Sequence, residues 1–567
     1  MFETLPKSAH DFMDWDWAKI EPYIDDLIAR DLNADNINQW LVDWTSISEL
    51  LSERFSRLQV ASTVDTTDEK ASQQLNDYLD NIFPQSQEAN QQIQEKLLES
   101  GLRPDNFEIP LRNIEAEVEL FREENLPLQT QSHKLGQEYD RITGAQAVEW
   151  DGEERTLAQL KPYFQDADRS VREKVWRLSM ERGLQDRKAL NELWVKFLNI
   201  RQEIADNAGF DSYRDYVWQE YLRFDYTPDD CMEFHRAIEE VVVPAASRLY
   251  DKRRQRLGTE TLRPWDLDVD PIGHPALRPF KDTEDMEARC EAMFKLVDPE
   301  LGSYFSTMRQ EKLLDLANRK GKAPGGYCTS FDVERKPFIF MNAVGLHDDV
   351  QTMLHEAGHA FHVFESSHLP YAQQLMPPME FAEVASMSME LIAAPYLVKD
   401  KGGFYSDDDA ARARVEHLEG IVRFWPYMAV VDAFQHWVYE NIEDAKDSKK
   451  CDAKWGELWD RFMKGIDYSG LDEEKVTGWH RKLHIFHIPF YYVEYGLAQL
   501  GAVQVWRNSL SNQAGALQNY RKALSLGGTV TLPELFSAAG AKFAFDPQTM
   551  NEAVELVENT ITELDPA

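Results

Sequence analysis

Cysteine is scarce in this chain. Cys231, Cys290, Cys328 and Cys451 are the only four in 567 residues, far apart and never in a C-x-x-C pair. That excludes a disulfide scaffold and predicts no cysteine-ligated zinc site. The N-terminal residues, Met1 to Lys7, lack a basic region followed by an apolar core, so no signal peptide is expected. No apolar run approaches the roughly 18 residues of a membrane span, and the expected location is the cytoplasm. Positive charge is also short: 61 Lys and Arg against 99 Asp and Glu leave a formal charge of −38. So acidic a surface repels nucleic acid and anionic membranes, so neither is an expected partner. No repeat of fixed period is present.

What remains is the composition of an ordered globular protein, with 43 % hydrophobic residues, 11 % aromatic and fifteen tryptophans. Helical periodicity dominates: residues 8–60, 68–100, 156–222 and 228–257 read as amphipathic helices, and the pattern resumes over 286–318. Val148 to Thr156 reads as a small hairpin turning at Asp151-Gly152. The proline-rich stretch 257–285 reads as a long surface connection. Two aromatic-rich runs, Gly325 to Phe331 and Pro337 to Asn342, read as a β-hairpin. A strand that starts after Pro337 suits a sheet edge, where an extended peptide could add as a further strand. An ordinary buried hairpin explains the same pattern equally well.

The chemistry concentrates just beyond, in His355-Glu356-Ala357-Gly358-His359. Residues four apart on a helix lie one above the other, so His355 and His359 can share one metal ion while Glu356 stands beside them as a base. Asp348 and Asp349 fall at the positive end of that helix. Gly358, in mid-helix, is disfavoured by about 1 kcal/mol against Ala, which predicts a close approach of another backbone, the substrate strand being one candidate. His362 is seven residues past His355, about 10 Å along the axis, too far for both to bind one ion. It reads as an outer-sphere or packing residue. A third ligand is still needed. In the helix predicted after Pro377-Pro378, Glu380, Glu383 and Glu390 compete. Glu380 sits in the first turn, where the helix dipole explains it. Glu383 and Glu390 share an apolar face, and Glu383 reads as the ligand, with Glu390 orienting a ligand histidine.

Together these residues resemble the family of zinc oligopeptidases that includes oligoendopeptidase F, thimet oligopeptidase and neurolysin. The similar segments are Gly321 to Cys328, Pro337 to Asn342, His355 to His359 with His362, and Glu383-Val384-Ala385-Ser386. The tail His484 to Gly496, Asp168-Arg169 with Arg172, and Pro264-Trp265-Asp266-Leu267 are similar to the oligoendopeptidase F branch in particular. The likeness runs from about residue 140 to the end. It implies a mainly α fold: a neurolysin-like helical ellipsoid with a deep central channel and a small β-sheet beside the zinc helix. Residues 1–140 are then an N-terminal helical region in one channel wall, and 141–567 the zinc peptidase region, its catalytic core at about 320–500.

The resemblance also implies one Zn²⁺ on His355, His359 and Glu383. It turns His484 and Tyr495 toward the substrate, Tyr495 as the residue that binds the oxyanion. It leaves open which of Tyr491, Tyr492 and His487 also face the substrate, beside Gly325, Gly326, Tyr327 and Phe340. The expected activity is hydrolysis of internal bonds in short unstructured peptides, with Glu356 taking the proton of the attacking water. Loss of an oxyanion donor would lower turnover roughly 10²–10³-fold. The rival readings are a carboxypeptidase of related helical design and a non-catalytic peptide-binding relic. The expected partners are short peptides only, and the chain is expected to be a monomer or small homo-oligomer.

Overall fold

The computed structural model describes residues 1–319, 321–323 and 325–565, with the side chains of His133, Gln137, Asp140 and Ala158 outside the description. Pro324, within the Gly321–Cys328 segment, is therefore not among the described residues. Among the described residues the fold is mainly α, with one hairpin and one three-stranded sheet.

The chain divides into two compact units by returning on itself. The first comprises Met1–Glu119, Leu277–Ala413 and Ala498–Phe543; the second comprises Leu120–Ala276, Arg414–Leu497 and Ala544–Ala567. This differs from the contiguous 1–140 and 141–567 expected from sequence. Long-range returns of the chain leave no mark in composition, so a linear reading could not see them.

In the second unit, β1 (Ala147–Trp150) and β2 (Glu153–Thr156) form the expected hairpin. Asp151 and Gly152 both have positive φ, 54° and 79°, as a tight Asp-Gly turn requires. The same unit explains two of the motifs. Arg169 donates two hydrogen bonds to Asp266, at 2.9 and 2.7 Å, and Arg172 a third at 3.1 Å. Asp266 is fully buried. Burial would raise its pKa, but the two guanidiniums and the Arg263 backbone N–H hold it below the usual carboxylate range.

In the first unit, Trp40 and Trp44 of α1 (Ile37–Val64) sit in an N-terminal hydrophobic core. The sheet follows: β3 (Leu314–Ala317), β4 (Tyr327–Phe331) and β5 (Lys336–Ala343), in the order β3-β5-β4. Here the edge-strand expectation is corrected. β5 is the central strand, parallel to β3 and antiparallel to β4, with Leu314 and Tyr327 opposite Ile339 and Phe340. Pro337 is tolerated because it lies at the start of β5, ahead of Ile339, where the pairing with β3 begins.

Lys322 fastens the sheet from within. Its buried ammonium donates to Asp315 O, Asp315 Oδ1 and Ala317 O at 2.9, 2.8 and 3.1 Å, and to Met341 O. Asn342 Nδ2 reaches Ala323 O and Gly325 O at 2.7 and 2.9 Å, fixing the glycine-bearing loop over the sheet.

β4 and β5 pack against α2 (His347–Ser366), which packs in turn on α3 (Met379–Ala393). Asp349 Oδ2 accepts hydrogen bonds from Val344, Gly345 and Leu346 N–H at 2.9, 2.7 and 2.8 Å. That closes the loop before α2 and satisfies donors at its start.

Candidate metal centre

α2 and α3 approach so closely that only glycine fits at position 358. A Cβ there would lie 2.5 Å from Ser386 Cα, 2.7 Å from Ala385 O and 2.9 Å from Ser386 N. The close backbone neighbour is thus α3, which corrects the suggestion of a substrate strand. Tyr520, fully buried, donates to the same Ala385 O at 2.8 Å and so helps hold α3 at this contact.

This contact sets the ligands. His355, His359 and Glu383 each offer a donor atom, all within 4.8 Å of one another. Glu383 Oε2 lies 3.3 Å from His355 Nε2 and 3.8 Å from His359 Nε2. The two imidazoles are nearly perpendicular, at 82°. Ser386 Oγ donates to Glu383 Oε2 at 3.0 Å and so orients the carboxylate, a role its place in the motif did not disclose. Glu390 Oε1 sits 2.7 Å from His355 Nδ1, the orienting contact expected of it. A proton on Nδ1 shared with Glu390 leaves the Nε2 lone pair directed at the metal position.

Two imidazole nitrogens and one carboxylate oxygen, one imidazole buttressed by a second carboxylate, form a donor set that fits Zn²⁺ with a coordination position to spare. The electrostatics agree. Burial would lower the His355 pKa, but Glu383 and Glu390 outweigh it and raise it well above the usual histidine value. Carboxylates that hold a proton there hold a divalent cation in its place. Glu383 is itself kept low: burial would raise it, and the contacts with His355, His359 and Ser386 prevail. His359 is pushed down to about 4 by burial, which keeps it neutral and able to coordinate. Replacing Glu390 by Ala should therefore weaken zinc binding roughly 10–100-fold, measured by competition with a chromophoric chelator. Unchanged affinity would show that Glu390 does not orient His355.

Glu356 is buried beside this set, and burial pushes its carboxyl up to about 7. Cys328 on β4 shares its environment: burial, then the Glu356 charge, raises the thiol well above its ordinary value. The sequence carried no signal for that proximity. His355 and His359 keep 23 % and 22 % of their side-chain surface exposed, so the metal position opens on one side. His362 is buried 6.1 Å from Phe381, and burial holds it down to about 3. It is a neutral packing residue outside the ligand set.

The substrate-binding expectations divide. Gly325 has φ 96°, which glycine alone adopts comfortably. Gly326 lies over β5, where a Cβ would meet Phe340 O at 3.4 Å. Tyr327 is half-buried, its hydroxyl 2.6 Å from Thr63 Oγ1. Phe340 is corrected: its ring is fully buried, stacked 4.8 Å from Tyr327 and covered by Lys322 at 4.4 Å. Residues 337–341 of β5 are all buried, so both faces of the strand are packed there.

The tail belongs to the second unit. Phe490 takes a left-handed conformation, φ 68°, rare for an aromatic residue. Gln435 Oε1 accepts its N–H at 2.8 Å, and buried Arg223 donates to its carbonyl at 2.7 Å and to Glu494 at 2.6 Å. The strain is thereby held in place. His484 lies 5.0 Å from Tyr492 and 5.9 Å from Tyr495 between ring centroids. Tyr491 and Tyr495 are half-buried, whereas Tyr492 is buried beneath Lys482, 3.9 Å above its ring. His487 abuts Gly136 and stands edge-on to Tyr139 at 5.5 Å. Tyr492 is thus enclosed by packing, whereas His487 stays partly exposed beside Gly136 and Tyr139.

The profile of peptidase family M3 matches residues 163–555, and that of the peptidase M3 N-terminal domain matches residues 9–119. An oligoendopeptidase F homologue from Lactococcus lactis subsp. lactis is 22 % identical over 386 residues, covering 65 % of this chain and 59 % of that one. One from Mycoplasma pneumoniae is 21 % identical over 519 residues, covering 84 % and 80 %. The alignments span 48 %, 59 % and 59 % of three such curated relatives, about half their length or a little more. Among solved structures, Pz peptidase A with an inhibitor superimposes with a TM-score of 0.89 at 28 % identity, covering 100 % of both chains.

Proposed function

The chain belongs to peptidase family M3, and on that premise we propose that it is a zinc-dependent oligopeptidase cleaving internal bonds of short, unstructured peptides. The observation that carries this reading is the convergence of His355, His359 and Glu383 within 4.8 Å, with Glu356 buried beside them. Zn²⁺ in that position supplies a Lewis acid and lowers the pKa of a water toward about 7.

The rest is the work of side chains. Glu390 fixes the tautomer of His355, and Ser386 fixes the rotamer of Glu383. The Glu356 carboxylate takes the proton of the attacking water and returns it to the departing amine, a task suited to a group whose pKa is pushed up to about 7. The oxyanion donor is carried from the family resemblance: Tyr495, assisted by His484. Gly325, Gly326 and Tyr327, at the entry to β4, are the proposed backbone contacts of the peptide. The exclusion of folded proteins likewise rests on the resemblance.

A pair of peptides, identical except that one has an amidated C-terminus, tests the internal cut. Both should be cleaved at the same internal bond at similar rates. Stalling on the amidated peptide would instead make the protein a carboxypeptidase.

A further inference from the structure

The second unit contains another cluster of metal-ligating side chains, remote in sequence from the first. Cys231 and His235 lie one turn apart on the helix Pro228–Ala237, and Asp432 and His436 one turn apart on the helix Asp407–Glu440. Donor atoms of Cys231, Asp432 and His436 all fall within 4.8 Å of one another. The burial is complete: Cys231 and Asp432 are 0 % exposed, His235 and His436 2 %.

Several polar atoms there are left over. His235 Nε2 is 2.8 Å from Asp432 Oδ2, which takes up that oxygen, while Asp432 Oδ1 has no hydrogen-bond partner among the described residues. Neither ring nitrogen of His436 makes a hydrogen bond with good geometry, although Nε2 lies 3.4 Å from Asp432 Oδ2. Such atoms are expensive to bury without a partner, and the rings of Trp218, Phe490 and His235 stand around His436 at 5.7, 5.1 and 6.1 Å.

We propose that Cys231, Asp432 and His436 bind a second, structural divalent ion of the zinc class, with His235 orienting the Asp432 carboxylate. Sulfur, oxygen and nitrogen donors together suit borderline-soft Zn²⁺ better than Mg²⁺ or Ca²⁺. A thiolate and a carboxylate neutralise the ion's two charges, so the filled site adds no net charge to an apolar interior. Bonds of 2.0–2.3 Å require donors roughly 3.3–3.8 Å apart, against the 4.8 Å that bounds their present separations, so binding needs a small side-chain adjustment. The ion joins two helices, one of which carries Gln435, the residue that anchors strained Phe490. Because the cluster is buried, its ion would be acquired during folding.

Metal content and a cobalt spectrum test this on the full chain. The wild type should contain two zinc ions per chain, and the double variant His355→Ala/His359→Ala, in which the buried cluster is intact, should contain one. Refolded with Co²⁺, that double variant should show a near-ultraviolet thiolate-to-cobalt charge-transfer band, which a His₂Glu site cannot produce. Cys231→Ser should lack the band. A wild type with one ion that is lost in the double variant, and no cobalt–thiolate band, overturns the inference while leaving the peptidase reading intact. A single ion that survives in the double variant, with the band, supports the buried site and removes the ion from the proposed active centre. The decisive readings come from the wild type and the double variant, so the inference is tested even where Cys231→Ser does not fold.

Discussion

Replacing Glu356 with Gln lowers peptide turnover roughly 10²–10⁴-fold and leaves zinc bound. The amide cannot accept the water's proton, whereas the ligands His355, His359 and Glu383 are untouched. The same substitution has an opposite effect on the metal-free protein. The Glu356 carboxyl is raised from its ordinary 4.5 to about 7, mainly by burial, so the folded state favours its protonated form. The sign follows: this group's stabilising contribution is fully present below pH 4.5 and is lost as pH rises through about 7. A neutral Gln escapes that loss. Stripped of metal, Glu356→Gln should match the wild type near about pH 4 and exceed its stability near about pH 8 by up to ~3 kcal/mol. Urea unfolding at the two pH values checks it. A stability difference independent of pH would show that Glu356 is not held protonated by its surroundings.

Replacing Gly358 with Ala should destabilise the protein by about 2 kcal/mol or more and weaken its grip on zinc. In an ordinary exposed helix the same change stabilises by about 1 kcal/mol, so even the sign is diagnostic. The added methyl would stand 2.5 Å from Ser386 Cα, a backbone atom that can yield only if α3 moves as a whole. Glu383 and Glu390 ride on α3, so the movement separates the carboxylates from His355 and His359. Unfolding in urea and zinc competition are the two readouts. A stabilised variant with unchanged zinc affinity would mean that the helices do not meet as described.

Much of the metal centre was legible because it is helical. Four-residue spacing places His355 over His359, and seven-residue spacing separates Glu383 from Glu390 by two turns, so pattern favoured Glu383 as the third ligand and the family resemblance carried the rest. Gly358 announced a close approach for the same reason, though not of what. The order of the sheet was not legible. β3 and β5 pair across some twenty residues in parallel, and nothing in Pro337–Asn342 distinguishes a strand with one neighbour from a strand with two. The tail failed differently: Tyr491, Tyr492 and Tyr495 are chemically alike, and only packing beneath Lys482 sets Tyr492 apart. Arg169, Arg172 and Asp266 stood out as motifs, but their shared ion pair joins segments nearly a hundred residues apart. Cys231, Asp432 and His436 likewise come together from two helices remote in sequence, so cysteine spacing carries no mark of their cluster.

The proposed activity depends on zinc held by His355, His359 and Glu383. This dependence is tested most directly by following an internally quenched peptide of about ten residues through chelation and zinc restoration. The purified protein should hydrolyse it, lose that activity on chelation, and regain it with one equivalent of Zn²⁺ in the wild type but not in Glu383→Ala. Hydrolysis that survives complete removal of metal from the His355, His359 and Glu383 position would contradict that dependence.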